Sequence, residues 1–462
     1  MATTVDLIVL GTGSAAQSVA YLCRAAGWSV AVVDARPFGG TCAWRGCDPK
    51  KVLVGVTELV DWSRRMQGNG VTAPGVSVRW ADLIRFKRAF TDPVPEQTER
   101  SFAQAGISAW HGRAHFVDRT SLQVGAETLV GRQVVIAAGA RHAPLGIPGE
   151  EHLTTSTQFL DLDALPRRIV FVGGGYIAFE FAHIAARAGA HVQILHRGMR
   201  PLERFDPDLV VMLAQATREL GVEIRVQTAV TGIERQEDHF LVHTVHTRAG
   251  EAAREDATGE KEQVVEADLV VHAAGRVPEI DDLDLDAAGV LREQGGVTVN
   301  EYLQSVSNLA IYAAGDAVAS GGFPLTPVAG MQGDIVARNL LEGNRHTPNY
   351  QGIPSVVFTT PPLACVGLLE AEAHTRGLRF TTRHEDTSSW YSSRRVAFSH
   401  TGFKTLVEEG TDRLLGAHVL GAHAEEVINL FALAIRAGLR ASDLKQLVAA
   451  YPTSSSDVSY ML

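Results

Sequence analysis

Cysteine is scarce in this chain, with four residues in 462. So few cannot form a structural disulfide framework. Basic surplus is missing too. The formal net charge is −10 and no long Lys/Arg run interrupts it, which argues against nucleic acid or an anionic membrane as partner. No apolar run reaches about 18 residues, so no transmembrane helix is expected. The opening MATTVDLIVLGTGSAA lacks a basic region and a cleavage-like end, and reads as a first strand entering a glycine-rich turn rather than a signal peptide. The expected home is the cytoplasm, where thiols stay reduced. What is present is the composition of a soluble globular enzyme: 45% hydrophobic, 20% charged, and 44 glycines that suit repeated strand-to-helix turns. The length exceeds one core, since single cores rarely grow past roughly 250–300 residues.

Two of the four cysteines, Cys42 and Cys47, stand together in GGTCAWRGCDPKK (39–51). A disulfide, a metal clip, a redox centre and chance are the alternatives. Zinc is disfavoured because CxxxxC has no second ligand pair nearby. A reducing compartment disfavours a purely structural bridge. A redox pair is the best reading of the spacing.

Residues 5–35 read as strand, glycine turn, helix and second strand. In Gly11-x-Gly13-x-x-Ala16, Gly11 permits the tight turn, Gly13 admits a pyrophosphate and Ala16 packs helix on sheet. Asp34 ends the second strand, where an acid can bond a ribose hydroxyl. The plan recurs over Arg168–Arg197 with Gly173-x-Gly175-x-x-Ala178. Two dinucleotide sites in one chain are most economically a flavin and a nicotinamide. The second strand of this repeat ends in His196 and Arg197, with Arg200 close behind. Basic residues there suit a 2′-phosphate, so NADPH is preferred over NADH; solvated surface charge is the alternative reading of both arginines.

Further along, RQVVIAAGARHAPLGIPG (132–149) predicts a strand and a hinge, and DLVVHAAGRVPEI (268–280) a matching return. Residues 248–263 read as an exposed loop or hairpin tip. LAIYAAGDAVA (309–319) predicts a strand ending in Gly315 and Asp316, the latter either a cofactor-hydroxyl acceptor or a helix N-cap. Residues 324–343 and 424–438 read as helices, and VVFTT, FKTLVEE and LLGAHVLG as strands of a C-terminal α+β domain.

With GTGSAA, GGTCAWRGCDPKK, VVIAAGAR, GGGYIAFE, HAAGRVPEI, IYAAGDA, SVVFTTPPLACVGL, LLGAHVLG and the terminal YPTSSSD, the chain resembles the flavoprotein disulfide reductases along essentially its whole length. That family includes glutathione reductase, dihydrolipoamide dehydrogenase and mercuric reductase. The resemblance implies an α/β fold: two Rossmann-like dinucleotide-binding domains, for FAD and NAD(P), plus a C-terminal α+β dimerisation domain. The implied segments are 1–147 and 271–345 for FAD, 148–270 for NAD(P), and 346–462 for a homodimer interface. It also implies that Cys42 and Cys47 form a redox disulfide. Cys47 would lie against the flavin as charge-transfer thiolate, and Cys42 would face the acceptor. By position, Lys50 and Glu180 match a lysine beside flavin N5 and its acidic partner, although Glu180 also reads as a helix residue bonding something local. Tyr176 matches an aromatic gate over the flavin. The remaining cofactor-binding positions are Gly40, Thr41, Gly139 and Gly275.

The pattern breaks at YPTSSSD. Thiol–disulfide members carry a His there, lent by the other subunit as a proton shuttle, and a Glu five residues on. Here Tyr451 holds the first position and Ser456 the second, with Asp457 one residue late. A phenol with a pKa of about 10 shuttles protons poorly at neutral pH. Asp48, directly after Cys47, replaces a residue that is apolar in many relatives. Mercuric reductase has a tyrosine at the position of Tyr451, but its terminal cysteine pair is not in this sequence. Cys23 and Cys365 read as core thiols. The expectation is a homodimeric FAD enzyme that uses NADPH to reduce Cys42–Cys47 and then an acceptor, which is a metal ion, a quinone-like compound or an unusual disulfide. The alternatives are an NAD-dependent lipoamide-type dehydrogenase and a low-turnover flavin redox sensor or scaffold.

Overall fold

The computed structural model describes residues 2–247 and 263–462. The expected loop over 248–263 lies, apart from its last residue, outside them. The described chain is mixed α/β and forms two compact units. One comprises Met1–Lys50, Phe86–Ala143 and Arg276–Tyr350; the other comprises Lys51–Arg85, Pro144–Gly275 and Gln351–Leu462.

The first unit is organised by a parallel sheet. Strand Thr3–Leu10 lies between Val30–Asp34 and Glu127–Ile136, with registers Leu7 to Val30 and Leu10 to Ile136. Ser108–His111 extends one side, and Ile311–Ala313 pairs with the end of Glu127–Ile136. Leu7, Ile8, Val32, Val134 and Ile136 are fully buried. Such apolar runs are what a parallel strand covered on both faces requires, each side chain contributing about 1.5–3 kcal/mol of burial. The sheet is completed by the antiparallel strands Ser121–Val124 and Ala114–Phe116. Helix Ser14–Ala25 packs its Ala16, Val19, Ala20 and Cys23 face into the same core, which helix Thr326–Glu342 joins through Val336 and Ala337.

The second unit contains a four-stranded parallel sheet in the order Glu223–Arg225, His191–Leu195, Arg168–Val172, Leu269–His272. Helix Tyr176–Arg187 follows its central strand with nine buried residues. Its C-terminal part is a five-stranded antiparallel sheet, Ser355–Val357, Leu363–Gly367, Leu414–Leu420, Gly402–Glu408, Phe380–Asp386, backed by helix Ala424–Ala437. The buried Lys404 ammonium sits among Asp206 (2.9 Å), Asp208 and Glu370 (3.2 Å), tying the strand Gly402–Glu408 to the start of helix Pro207–Glu219. Among the described residues no helix is long and apolar enough to cross a membrane.

Candidate active site

At the end of the first strand Gly11 has φ +110°, and a Cβ there would fall 2.3 Å from the Ala137 carbonyl oxygen. Only glycine fits. Gly13 is the N-cap of helix Ser14–Ala25 and caps it with no side chain, so backbone N–H groups of the first turn remain for an anion. Gly40, at φ +69°, brings its Cα so close that an added Cβ would meet Gly13 Cα at 2.4 Å. The two glycine backbones thus form a cradle with no room for a side chain, the bare backbone that a pyrophosphate-binding turn requires.

Asp34 closes the cradle's far side. Its Oδ2 accepts from Thr12 Oγ1 (2.7 Å) and its Oδ1 from the Arg36 N–H (3.0 Å). Thr12 Oγ1 in turn accepts from the Gly39 N–H at 3.2 Å. Arg36 is paired with Glu279. Arg45, on the short helix between the two cysteines, has a buried Nε without a hydrogen-bond partner and is held down to about 10 by burial beside Arg36, with Asp34 and Glu279 opposing. Gly139 and Gly315 both adopt φ +74°. Asp316 is not an N-cap: it lies inside a single turn of 3-10 helix, Gly315–Ala317, whose N-cap is Ala314. Burial raises its pKa, and Arg276, 3.7 Å away, opposes the rise.

Cys42 opens the helix Cys42–Arg45, with Thr41 at the N-cap position but no capping side-chain bond, and Cys47 opens the helix Cys47–Arg65. Gly46 between them is obligatory, since a Cβ there would sit 2.8 Å from the Thr41 carbonyl oxygen. Both cysteines are free thiols here, hydrogen-bonded to each other. Cys47 Sγ lies 3.5 Å from Thr326 Oγ1. The Cys42 hydrogen bond holds the Cys47 thiol down to about 6, helped by Thr326 and by the Lys50 charge; burial and Asp48 oppose it. Cys42 is pushed up, chiefly by its hydrogen bond to Cys47 and by burial. Its Sγ donates to Asp48 Oδ1 at 3.9 Å. Cys47 is exposed and Cys42 half-buried. Lys50 is buried at 7% exposure. Cys23 and Cys365 are both pushed up to about 12 by burial.

The second glycine turn repeats the first. Gly173 has φ +121°, and its Cβ would fall 2.2 Å from the Ala273 carbonyl oxygen. Gly175 caps helix Tyr176–Arg187 with no side chain and has open space around it. The strand end differs. The His196 ring packs where Cβ atoms of Gly174 and Gly198 would lie 2.7 Å from it, and its Nε2 is 2.9 Å from the Arg200 carbonyl oxygen. Burial lowers its pKa, which keeps it neutral. Arg197 is exposed, and Arg200 Nη2 donates to the Glu203 carbonyl at 3.0 Å. Gly275 has φ +109°.

Tyr176 hydrogen-bonds Ser355 Oγ (2.9 Å) and meets Phe205 edge-on; burial pushes its phenol up to about 12. Glu180 is buried and its Oε1 accepts from the Phe358 N–H at 2.9 Å, 178 positions along the chain. Tyr451 is 83% exposed. It lines an open cavity of about 430 Å³ with Trp390, Tyr391, Ser456, Asp457 and Tyr460. Among the described residues no cluster of His, Cys, Asp and Glu could hold a metal ion.

The first unit therefore gathers Gly11, Gly13, Ala16, Asp34, Gly40, Thr41, Cys42, Cys47, Lys50, Gly139, Gly315 and Asp316; the second holds Gly173, Gly175, Tyr176, Glu180, Arg197, Arg200, Gly275 and Tyr451. Sequence reasoning missed Thr326, Thr12 and Ser355. Thr326 is 279 positions from Cys47, and no local pattern points to it.

Residues 5–333 match the model of the pyridine nucleotide-disulphide oxidoreductases, and residues 353–461 match that family's dimerisation domain. The chain is 32% identical to a glutathione reductase of Burkholderia cepacia, over 98% of this chain and 97% of that protein. It is 32% identical to a mercuric reductase of Staphylococcus aureus, over 97% and 80%. It also resembles the copper(II) complex of the HOCl-induced flavoprotein disulfide reductase RclA from Escherichia coli, with a TM-score of 0.86 and 27% identity over 99% of both chains.

Proposed function

Because the chain belongs to the pyridine nucleotide-disulphide oxidoreductases, a family of flavoprotein enzymes with a redox-active disulfide, we propose that it draws electrons from NADPH, reduces the Cys42–Cys47 pair and passes them to an exogenous acceptor. The observation that carries this reading is the placing of two free thiols at the starts of neighbouring helices, with Thr326 Oγ1 3.5 Å from Cys47 Sγ; those surroundings lower the Cys47 thiol and raise that of Cys42. That asymmetry provides a thiolate at neutral pH without a second anion next to it.

FAD would supply hydride acceptance from the nicotinamide and delivery of an electron pair to sulfur. The Gly11–Gly13–Gly40 cradle would hold its pyrophosphate, Asp34 a ribose hydroxyl and Asp316 a hydroxyl of the ribityl chain. Thr326 and Lys50 stabilise the Cys47 thiolate. In the second unit the Gly173–Gly175 turn would hold the NADPH pyrophosphate. Arg197 and Arg200 would favour the 2′-phosphate, and His196, neutral and packed, offers no competing anion. Tyr176 would cover the nicotinamide site as a neutral phenol. Two copies would associate through the C-terminal segment, the partner subunit's Tyr451 serving each thiol pair. A cytoplasmic location suits free thiols. The acceptor classes are a metal ion, a quinone-like compound or an unusual disulfide.

Anaerobic titration of the holoenzyme with NADPH tests the reading. A long-wavelength absorption of a thiolate against the oxidised ring should appear, with two new titratable thiols per subunit. Unchanged thiols and no such band would sink it. Side-by-side assays with NADPH and NADH against Hg(II), Cu(II), quinones, glutathione disulfide and lipoamide then rank the acceptors.

A further inference from the structure

The proton that a histidine would carry in a thiol–disulfide reductase has another place to go in this chain. Cys42 Sγ donates to Asp48 Oδ1 at 3.9 Å, the carboxylate is exposed, and it stands at the first turn of the helix that begins with Cys47. Of the charged groups that act on the two sulfurs, Lys50 acts on Cys47, and Asp48 acts on both. Thr326, also on both, is neutral. Asp48 is thus the ionisable group bonded to Cys42 besides Cys47 itself.

We propose that Asp48 is a catalytic proton carrier for Cys42, and that the acceptor is an exogenous disulfide whose leaving thiol takes its proton from Asp48. This rests on the reading of Cys42–Cys47 as the working redox pair. Carboxylates in water, with pKa values of about 4, do not strip a resting thiol; the proton stays on Cys42 until sulfur attacks, when the S–H becomes acidic enough to transfer. Burial and the neighbouring Cys47 and Asp48 charges keep it there in the resting dithiol.

The steps balance. The Cys42 S–H bond breaks, its proton moves to the Asp48 carboxylate, and Cys42 Sγ bonds to one sulfur of the acceptor disulfide. The acceptor S–S bond breaks, and the departing thiolate takes the proton from Asp48. The Cys47 thiolate then attacks Cys42 Sγ, the internal S–S bond forms, and the second acceptor thiolate leaves to solvent. The enzyme pair loses two electrons, the acceptor disulfide gains two, and Asp48 returns unchanged.

The test uses FAD-loaded wild type, Asp48→Asn and Asp48→Glu, with NADPH and two probes. One probe is 5,5′-dithiobis(2-nitrobenzoate), whose thiols leave as stable anions. The other is bis(2-hydroxyethyl) disulfide, whose alkyl thiols have pKa values of about 9 and leave more slowly unless a proton is supplied. Asp48→Asn should lower turnover of the alkyl disulfide ~10–100-fold and that of the aromatic disulfide by a smaller factor, because both need the Cys42 proton taken and only the alkyl thiol needs it returned, and Asp48→Glu should restore most of the loss. Alkylation of Cys42 in the reduced Asp48→Asn enzyme should be slower at pH 7 than in wild type, because the group that takes the Cys42 proton on attack is gone. Equal losses with both disulfides, faster Cys42 alkylation, or alkyl turnover in Asp48→Asn within about twofold of wild type would each overturn the proposal. So would a wild type that NADPH reduces normally but that reduces neither disulfide. A wild type whose thiols NADPH fails to reduce removes the underlying reading, and the Asp48 proposal with it.

Discussion

The turn at Gly11 and the turn at Gly173 follow one backbone plan and end in opposite chemistry. In each, a strand stops at a glycine whose added Cβ would strike a carbonyl oxygen at 2.3 or 2.2 Å, and a second glycine caps the helix without a side chain. Past the second strand the first unit offers Asp34, bonded by Thr12 and the Arg36 N–H; the second offers a packed neutral histidine and two arginines. On the proposed reading the turn would recognise what all dinucleotides share, a pyrophosphate, and the strand end, which faces the ribose and its substituent, would decide which dinucleotide binds. A further difference is that the first unit alone carries a pair of thiols.

The most damaging way to break the comparison is to fill the turns. Gly11→Val and Gly173→Val each combine a forbidden φ with overpacking, at a cost of about 2–5 kcal/mol. The first should purify with little FAD. The second should keep its flavin and lose NADPH reduction, as absorbance and stopped-flow reduction will report. Full flavin in Gly11→Val would end the assignment of that turn. Next in size, Arg197→Ala with Arg200→Ala should raise KM for NADPH ~10–100-fold and leave KM for NADH within about twofold. A parallel rise for both nucleotides would mean that the arginines serve no 2′-phosphate. Asp34→Asn keeps shape and removes charge from the other strand end; FAD release measured by dialysis should give a Kd raised ~5–10-fold, with KM for NADPH unmoved.

The smallest effect separates the thiols. Cys47 is held below its ordinary value, so its thiolate dominates above about 6 and is lost as pH falls through that value. Lowering the pH of reduced enzyme from 7 to 6 should reduce the long-wavelength absorption about twofold. Iodoacetamide at pH 7 should modify Cys47 and spare Cys23 and Cys365. Flat absorption from pH 8 to pH 5 would contradict the stabilisation of this thiolate by Cys42, Thr326 and Lys50.

Much of this comparison is legible in the amino-acid sequence itself. The alternation of apolar run, glycine turn and helix is local, and the strands Thr3–Leu10 and Arg168–Val172 fall where the apolar runs predict them. Helices expected over 324–343 and 424–438 occur as Thr326–Glu342 and Ala424–Ala437, where apolar spacing is regular. The expected strand over 309–319 is shorter, Ile311–Ala313, because positive φ at Gly315 turns the chain into a 3-10 turn. Illegible are the contacts that bridge distant segments. Thr326 reaches Cys47, and Lys404 gathers Asp206, Asp208 and Glu370 from the starts of two helices. A lysine in a strand reads as a solvated charge until tertiary packing buries it among carboxylates. Asp48 is visible as a departure after Cys47, but its bond to Cys42 needs the turn at Gly46 to fold the chain back.

The contrast among the four sulfurs has a consequence under oxidant stress. Peroxide and hypochlorous acid attack cysteine through its thiolate, and burial withholds that form from Cys23 and Cys365. Damage at cysteine is steered to Cys47, where a sulfenic acid has Cys42 within reach to condense into a disulfide. The injured form of this protein would then be an intermediate of its own cycle, restored by the next reduced nicotinamide.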